Sequence, residues 1–120
     1  MEEIGIESTL VEAIRNGDKT IEAVLGEPRY LRIQEDDLVS IREDFWYEGN
    51  ILESLTDALK VKVTHIIYFE TFEEMLTAVD FQAVIPHAKS VDEAVKVYKE
   101  LYSSQDLQEF GVVALTFELA

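Results

Sequence analysis

Residues 58–70, ALKVKVTHIIYFE, constrain the fold more than any other stretch. Leu59, Val61, Val63, Ile66 and Ile67 form a nearly continuous apolar signal. Lys60, Lys62 and Thr64 take the opposite parity, so the spacing predicts a long strand that begins with one wet face. A second strong run, GVVALTFEL at 111–119, predicts a closing strand.

Other elements fall between turn signals. Residues 8–16 read as a short helix capped by Ser8 or Thr9, with Leu10, Val11 and Ile14 on one face and Gly17 as its stop. KTIEAVL, 19–25, alternates like a strand until Gly26-Glu27-Pro28 breaks it. Residues 29–33 form a connector, and LVSIRE at 38–43 the next strand. Tyr47-Glu48-Gly49-Asn50 supplies a hairpin turn, with a break expected at Thr56-Asp57. Two helices follow: Thr71 caps FEEMLTAV, and Ser90 with Glu93 makes a capping box for a helix carrying Val91, Ala94, Val95, Tyr98, Leu101 and Tyr102 on its stripe. FQAVIP ends the segment between them at Pro86. Strands outnumber helices, which suits a single α+β domain over residues 1–120, a small barrel of mixed-to-antiparallel strands with flanking helices.

Composition excludes several classes. With no cysteine there are no disulfides or thiolate metal sites. His65 and His87 carry no metal-ligand spacing, so neither metal nor cofactor is expected. The N-terminus lacks a basic and apolar leader, and no apolar run approaches the ~20 residues of a membrane span. The cytoplasm is the default expectation. Ten Lys and Arg against 25 Asp and Glu give a net charge of −15, a field that disfavours duplex nucleic acid.

Chemistry-bearing residues concentrate in the first half. Lys19 and Glu22 stand at the mouth of an apolar strand. They read either as a salt bridge tying the helix–strand corner to the barrel, or as a ligand-binding or acid–base pair. Their odd separation puts them on opposite faces under strict strand alternation. They meet only if Lys19 belongs to the turn, or if a bulge follows it. Arg29, Arg32 and Arg42, with Tyr30 interleaved, suit phosphate contact and base stacking, or simply serve as salt-bridge partners. Trp46 and Tyr47 are expected to anchor the hairpin, with stacking on a base as the second use. Phe69, Phe72, Met75 and Phe117 are expected in the core, and Tyr68 and Tyr102 as amphipathic packing residues that can also edge a cleft.

The run IRNGDKTIEAVLGEPRYLRIQEDDLVSIRED, followed in order by VKVTHIIYFETFEEML, IPHAKSVDEAVKVYKELYSS and FGVVALTFEL, resembles the ASCH domain (activating-signal-cointegrator homology) across residues 9–119. The resemblance implies a PUA-like barrel whose cleft is lined by a G-x-K-x-x-E-x-R fingerprint. Gly17, Lys19 and Glu22 match it; the final arginine falls on Val24. The Gly-Asp turn of the pattern reads Asp36-Asp37 here. In amidohydrolase-type members a threonine nucleophile occupies the position of Glu22. The resemblance implies a module that binds RNA or a nucleotide-like ligand at the cleft of Lys19 and Glu22; the residue chemistry adds Arg29, Tyr30, Arg32 and Arg42 as candidate contacts, and the charge favours a single strand. The alternative it implies is an enzyme on the same cleft, a nucleoside amidohydrolase or ribonuclease with Lys19 and Glu22 as catalytic candidates; a third reading, from another class, is a protein–protein adaptor. The adaptor would use the acidic helix at 90–102.

Overall fold

The computed structural model describes all 120 residues. Five strands form one mixed sheet: β1 (Glu3–Glu7), β2 (Ile21–Leu25), β3 (Leu38–Tyr47), β4 (Asn50–Phe69) and β5 (Val112–Leu119). Six helices accompany it: α1 (Ser8–Asn16), α2 (Pro28–Leu31), α3 (Phe72–Ala78), α4 (Phe81–Val84), α5 (Val91–Leu101) and α6 (Ser104–Phe110). Strand order is β1-β3-β4-β5-β2, with β1 parallel to β3 and every other pair antiparallel. The class is α+β, as the pattern predicts, but the expected barrel is not closed. β1 and β2 are the two edges, and no ladder joins them. The sheet still curls: Ile4, Val39, Val63 and Leu115, from four different strands, line one small apolar void together with Glu22 of β2.

The long central strand exists and is longer than its pattern. β4 runs without interruption through Thr56-Asp57, where a break was expected. Asp57 takes a left-handed conformation at φ 54°, and the β3–β4 register shifts beside it. The turn-like dipeptide makes a bulge instead of ending the strand. At the hairpin tip Glu48 and Gly49 both have positive φ, 48° and 79°, the two-residue turn that matches strand twist. Trp46 and Tyr47 do not anchor this hairpin. Both are exposed, and Trp46 lies opposite Ile51 across the ladder.

β1 has no counterpart in the sequence reading. Ile4 and Ile6 alternate inward, and Gly5 between them leaves room for the Arg42 guanidinium and the Asp44 carboxylate, which a Cβ there would displace. α6 was also missed, although Ser103 accepts from the Asp106 N–H in the manner of the other caps. The cap at Thr71 forms as expected. At Ser90 half of the box forms: its hydroxyl takes the Glu93 N–H, while the Glu93 carboxylate reaches Lys89 N–H instead of closing on Ser90. α1 starts after Glu7 without a side-chain cap; Ser8 donates to Glu43 instead. Phe72, Met75 and Phe117 are core, whereas Phe69 is only partly buried against it. No helix is long and apolar enough to cross a membrane.

Candidate functional site

An open sheet leaves two rows of backbone donors and acceptors to be satisfied. On β2, Glu22 lies opposite Leu115, the Phe117 N–H donates to Thr20 C=O, and the Gly26 N–H donates to Gly111 C=O. In an antiparallel pair this alternation turns the backbone of Ile21 and Ala23 toward the free edge. That edge is buried, so each unpaired group would cost roughly 1–3 kcal/mol. Lys19 and Glu22 each satisfy one of these groups. Lys19 Nζ donates to Ile21 C=O at 2.7 Å, and Glu22 Oε1 accepts the Ala23 N–H at 2.8 Å.

Local structure delivers Lys19 to this position. α1 ends at Gly17 in a left-handed conformation, φ 88°, and the N–H groups of Asp18 and Lys19 both return to Ala13 C=O. Thr20 N–H then docks on Ala83 C=O of α4, and β2 begins only at Ile21. Lys19 therefore belongs to the turn, which is how an odd spacing brings it to Glu22. Its ammonium meets three acceptors: Ile21 C=O, Val84 C=O at 2.5 Å and Glu22 Oε2 at 3.5 Å. The lysine side chain is 0% exposed and the glutamate 10%. Burial pushes the Lys19 ammonium down from its ordinary value, and the Glu22 charge opposes that shift.

The partner that sequence reasoning missed is Tyr98 of α5. Its hydroxyl donates to Glu22 Oε1 at 2.6 Å across 76 positions of sequence. Phe72 of α3 stacks on Tyr98 with centroids 4.5 Å apart and rings 5° from parallel. Tyr102 lies near-parallel to the same Phe72 at 5.8 Å. Nothing in the sequence separates Tyr98 from the rest of its apolar stripe; only the fold sets it over β2.

The remaining sequence candidates divide. Tyr30 is buried, and the Arg29 guanidinium lies 4.4 Å over its ring while pairing with Glu27 at 3.6 Å. Burial is the main influence raising the Tyr102 phenol; the charge of Glu22 follows, then Tyr30 and Glu27, with Arg29 opposing. Arg42 does not offer a free guanidinium. It binds Asp44 through two hydrogen bonds, 2.7 and 3.0 Å, and Glu3 at 3.2 Å, while Ser54 also donates to Asp44. Arg32 pairs with Glu2 at 3.4 Å on an exposed surface, beside a depression of about 310 Å³ that neither Lys19 nor Glu22 touches. Another open depression, of about 300 Å³, lies at the C-terminal end of α1 and borders Lys19, whose side chain is wholly buried beneath it.

Three buried phenols give the site a pH signature. Burial raises Tyr30, Tyr98 and Tyr102 above their ordinary value; at Tyr98 and Tyr102 the Glu22 charge adds to it. Unfolded tyrosine ionises near pH 10. Above that pH the fold keeps protons that the unfolded chain has released, so stability falls as pH rises toward the folded values. Lys19 acts in the opposite sense. Its lowered value means that the fold binds fewer protons from that value up to about 10.4, so its contribution rises with pH across that window. Beyond about pH 10.4 only the phenols still act. The urea midpoint is therefore expected to drop steeply above that pH. A midpoint that stays level there contradicts the buried cluster.

The model of the ASCH domain matches residues 4–120. The crystal structure of hypothetical protein PH0355 superposes with a TM-score of 0.84 at 32% identity, covering 100% of each chain. The solution structure of protein PF0455 from Pyrococcus furiosus gives a TM-score of 0.72 at 30% identity, covering 98% of this chain and 96% of the other. Neither name carries an activity. No curated protein matches the chain in sequence.

Proposed function

Because the chain belongs to the ASCH-domain family, we propose that it binds single-stranded RNA or a nucleotide-like ligand at the free edge of β2, with Glu22 as the central contact. One observation carries this reading. Glu22 is an acceptor-only group, oriented by the Tyr98 hydroxyl and the Ala23 N–H on one oxygen, while its other oxygen has only the 3.5 Å contact with Lys19. A carboxylate fixed in this way, with acceptor capacity to spare, suits the donor edge of a base. Lys19 holds the carboxylate and the strand edge. The charge of −15 favours short unpaired strands or mononucleotides over a duplex.

Catalysis has one observation in its favour, a buried lysine of lowered basicity beside a carboxylate. Against it, all three donors of Lys19 are engaged and its side chain has no exposed surface, so a reacting atom has no path to Nζ. An adaptor role for α5 has less support. Its apolar stripe, Ala94, Val95 and Tyr98, is buried, and its outer face presents Asp92, Lys96, Lys99 and Glu100.

Anisotropy titration with a labelled single-stranded RNA, alongside calorimetry with mononucleotides, tests the reading. Binding is expected to weaken with salt, and Glu22→Gln to reduce affinity by about tenfold or more, the worth of a charged hydrogen bond. No binding by either probe, or affinity indifferent to Glu22→Gln, overturns it.

A further inference from the structure

We propose that the outer part of the β3–β4 hairpin docks a second copy of this chain, β4 edge against β4 edge about a twofold axis. The inference is independent of the ligand site.

The topology leaves this part of the sheet unsupported. β1 pairs with β3 only over Ser40–Asp44, and β5 pairs with β4 only from Val61 onward. Beyond those limits the two long strands pair only with each other, out to Tyr47 and Asn50. A two-stranded ribbon of this kind is marginal in water by itself. The outer edge of β4 from Ile51 to Leu59 has no neighbouring strand.

The side chains of the ribbon are not those of a solvated hairpin. Trp46, Tyr47, Ile51, Leu52 and Leu55 are between 42% and 71% exposed, and none of them joins the hydrophobic core. Trp46 lies opposite Ile51 on one face of the ribbon, and Leu55 lies opposite Glu43 on the other. A neighbour added at the edge covers apolar groups on both faces, whereas a partner laid on one face leaves the other wet. The five side chains expose roughly 600 Å² per copy, the upper end of what a monomer carries in one patch. With Phe45 and the polar groups between them, the surface approaches the ~800 Å² that each partner gives to a stable interface.

Charge and strand chemistry select the occupant. Between Asp44 and Leu59 the chain has no lysine, arginine or proline, the residues that usually guard a free edge. The one guard present is bending, since the β3–β4 register shifts beside Asp57 and again beside Leu52. Bending sets the angle of a neighbour without hiding Leu52, the most exposed of the five. Asp44, Glu48, Glu53 and Asp57 are the only charges of the segment, so phosphate-bearing partners are repelled. A second copy brings the same apolar groups to the same apolar groups, and a twofold axis runs the two β4 edges antiparallel.

Sedimentation velocity of the full chain over a concentration series measures the association. The emission of Trp46, the one tryptophan of the chain, reports its location. A monomer–dimer equilibrium is expected, with the emission moving to shorter wavelength as dimer forms. Raising salt from about 0.1 M to about 1 M is expected to tighten the dimer, because it screens the repulsion of two copies that each carry −15. Leu52→Lys and Leu55→Lys are each expected to raise the dimer dissociation constant at least about tenfold. Both positions are exposed, so the circular dichroism of the monomer is expected to match that of the parent. Leu101→Lys adds the same charge at an exposed leucine of α5 and is expected to leave the dimer intact. A chain that stays monomeric over the series overturns the inference, whether or not it captures another protein. So does a dimer that salt weakens, one that forms without moving the Trp46 emission, or one that Leu52→Lys and Leu55→Lys leave as tight as Leu101→Lys does.

Discussion

Replacing Lys19 by methionine is expected to destabilise the fold by about 3–5 kcal/mol, the usual consequence of removing one partner of a buried ion pair. The chain length and shape of the side chain are nearly kept, so packing is not the cause. The change strands the carbonyls of Ile21 and Val84, buried around the lost ammonium, and leaves the mostly buried Glu22 carboxylate without its cation. For a domain of this size that corresponds to a melting temperature lower by roughly 10–20 °C. The double variant Lys19→Met, Glu22→Gln removes the orphaned charge as well and is expected to recover a substantial part of the loss. Urea unfolding of the three proteins gives the comparison. A single variant within about 1 kcal/mol of the parent contradicts the role of Lys19 as the plug of the β2 edge.

Phe72→Ala is expected to cost about 3–5 kcal/mol. The ring is almost fully buried and carries the stack with Tyr98 and Tyr102. Its loss leaves a cavity between α3 and α5 and loosens the Tyr98 hydroxyl from Glu22, so the energetic and site effects arrive together. Phe72→Leu fills much of the space and is expected to lose about 1–2 kcal/mol. Near-ultraviolet circular dichroism reads the loss of fixed tyrosine packing, and denaturant unfolding reads the energy. A Phe72→Ala variant with parent-like stability and an unchanged tyrosine signal contradicts the stack as the support of the site.

Local chemistry was legible in the sequence and its assembly was not. Gly17 ends α1, Thr71 and Ser90 cap their helices, and the expected strands at 38–43, 58–70 and 111–119 fall on β3, β4 and β5, while that at 19–25 forms only from Ile21, with every residue of β2 buried instead of alternating. The fingerprint singled out Lys19 and Glu22, and their odd spacing already required Lys19 to sit in the turn or before a bulge. Closure into a barrel was not readable, because periodicity says which residues face inward and nothing about which edges pair. Glu3–Glu7 was missed because a five-residue strand interrupted by glycine carries little signal, and its pairing with β3 is parallel and remote. The three arginines illustrate the ambiguity of charge in an acidic chain. All three have carboxylate partners, and Arg29 also lies over the Tyr30 ring. Tyr98 and Tyr102 are spaced four apart on an amphipathic stripe, a pattern that predicts packing and is silent on where their hydroxyls go.

The most direct measurement of the central claim is an amide proton–nitrogen correlation spectrum recorded during titration with CMP. Ala23 N–H is bonded to the Glu22 carboxylate, so it reports any new contact on that group. Shifts are expected to concentrate at Glu22 and Ala23 and at Tyr98, whose hydroxyl shares the carboxylate, and to weaken together in Glu22→Gln. A spectrum that does not change, or changes confined to the depression around Arg15–Thr20 or to the surface around Arg32, contradicts the β2 edge as the binding site.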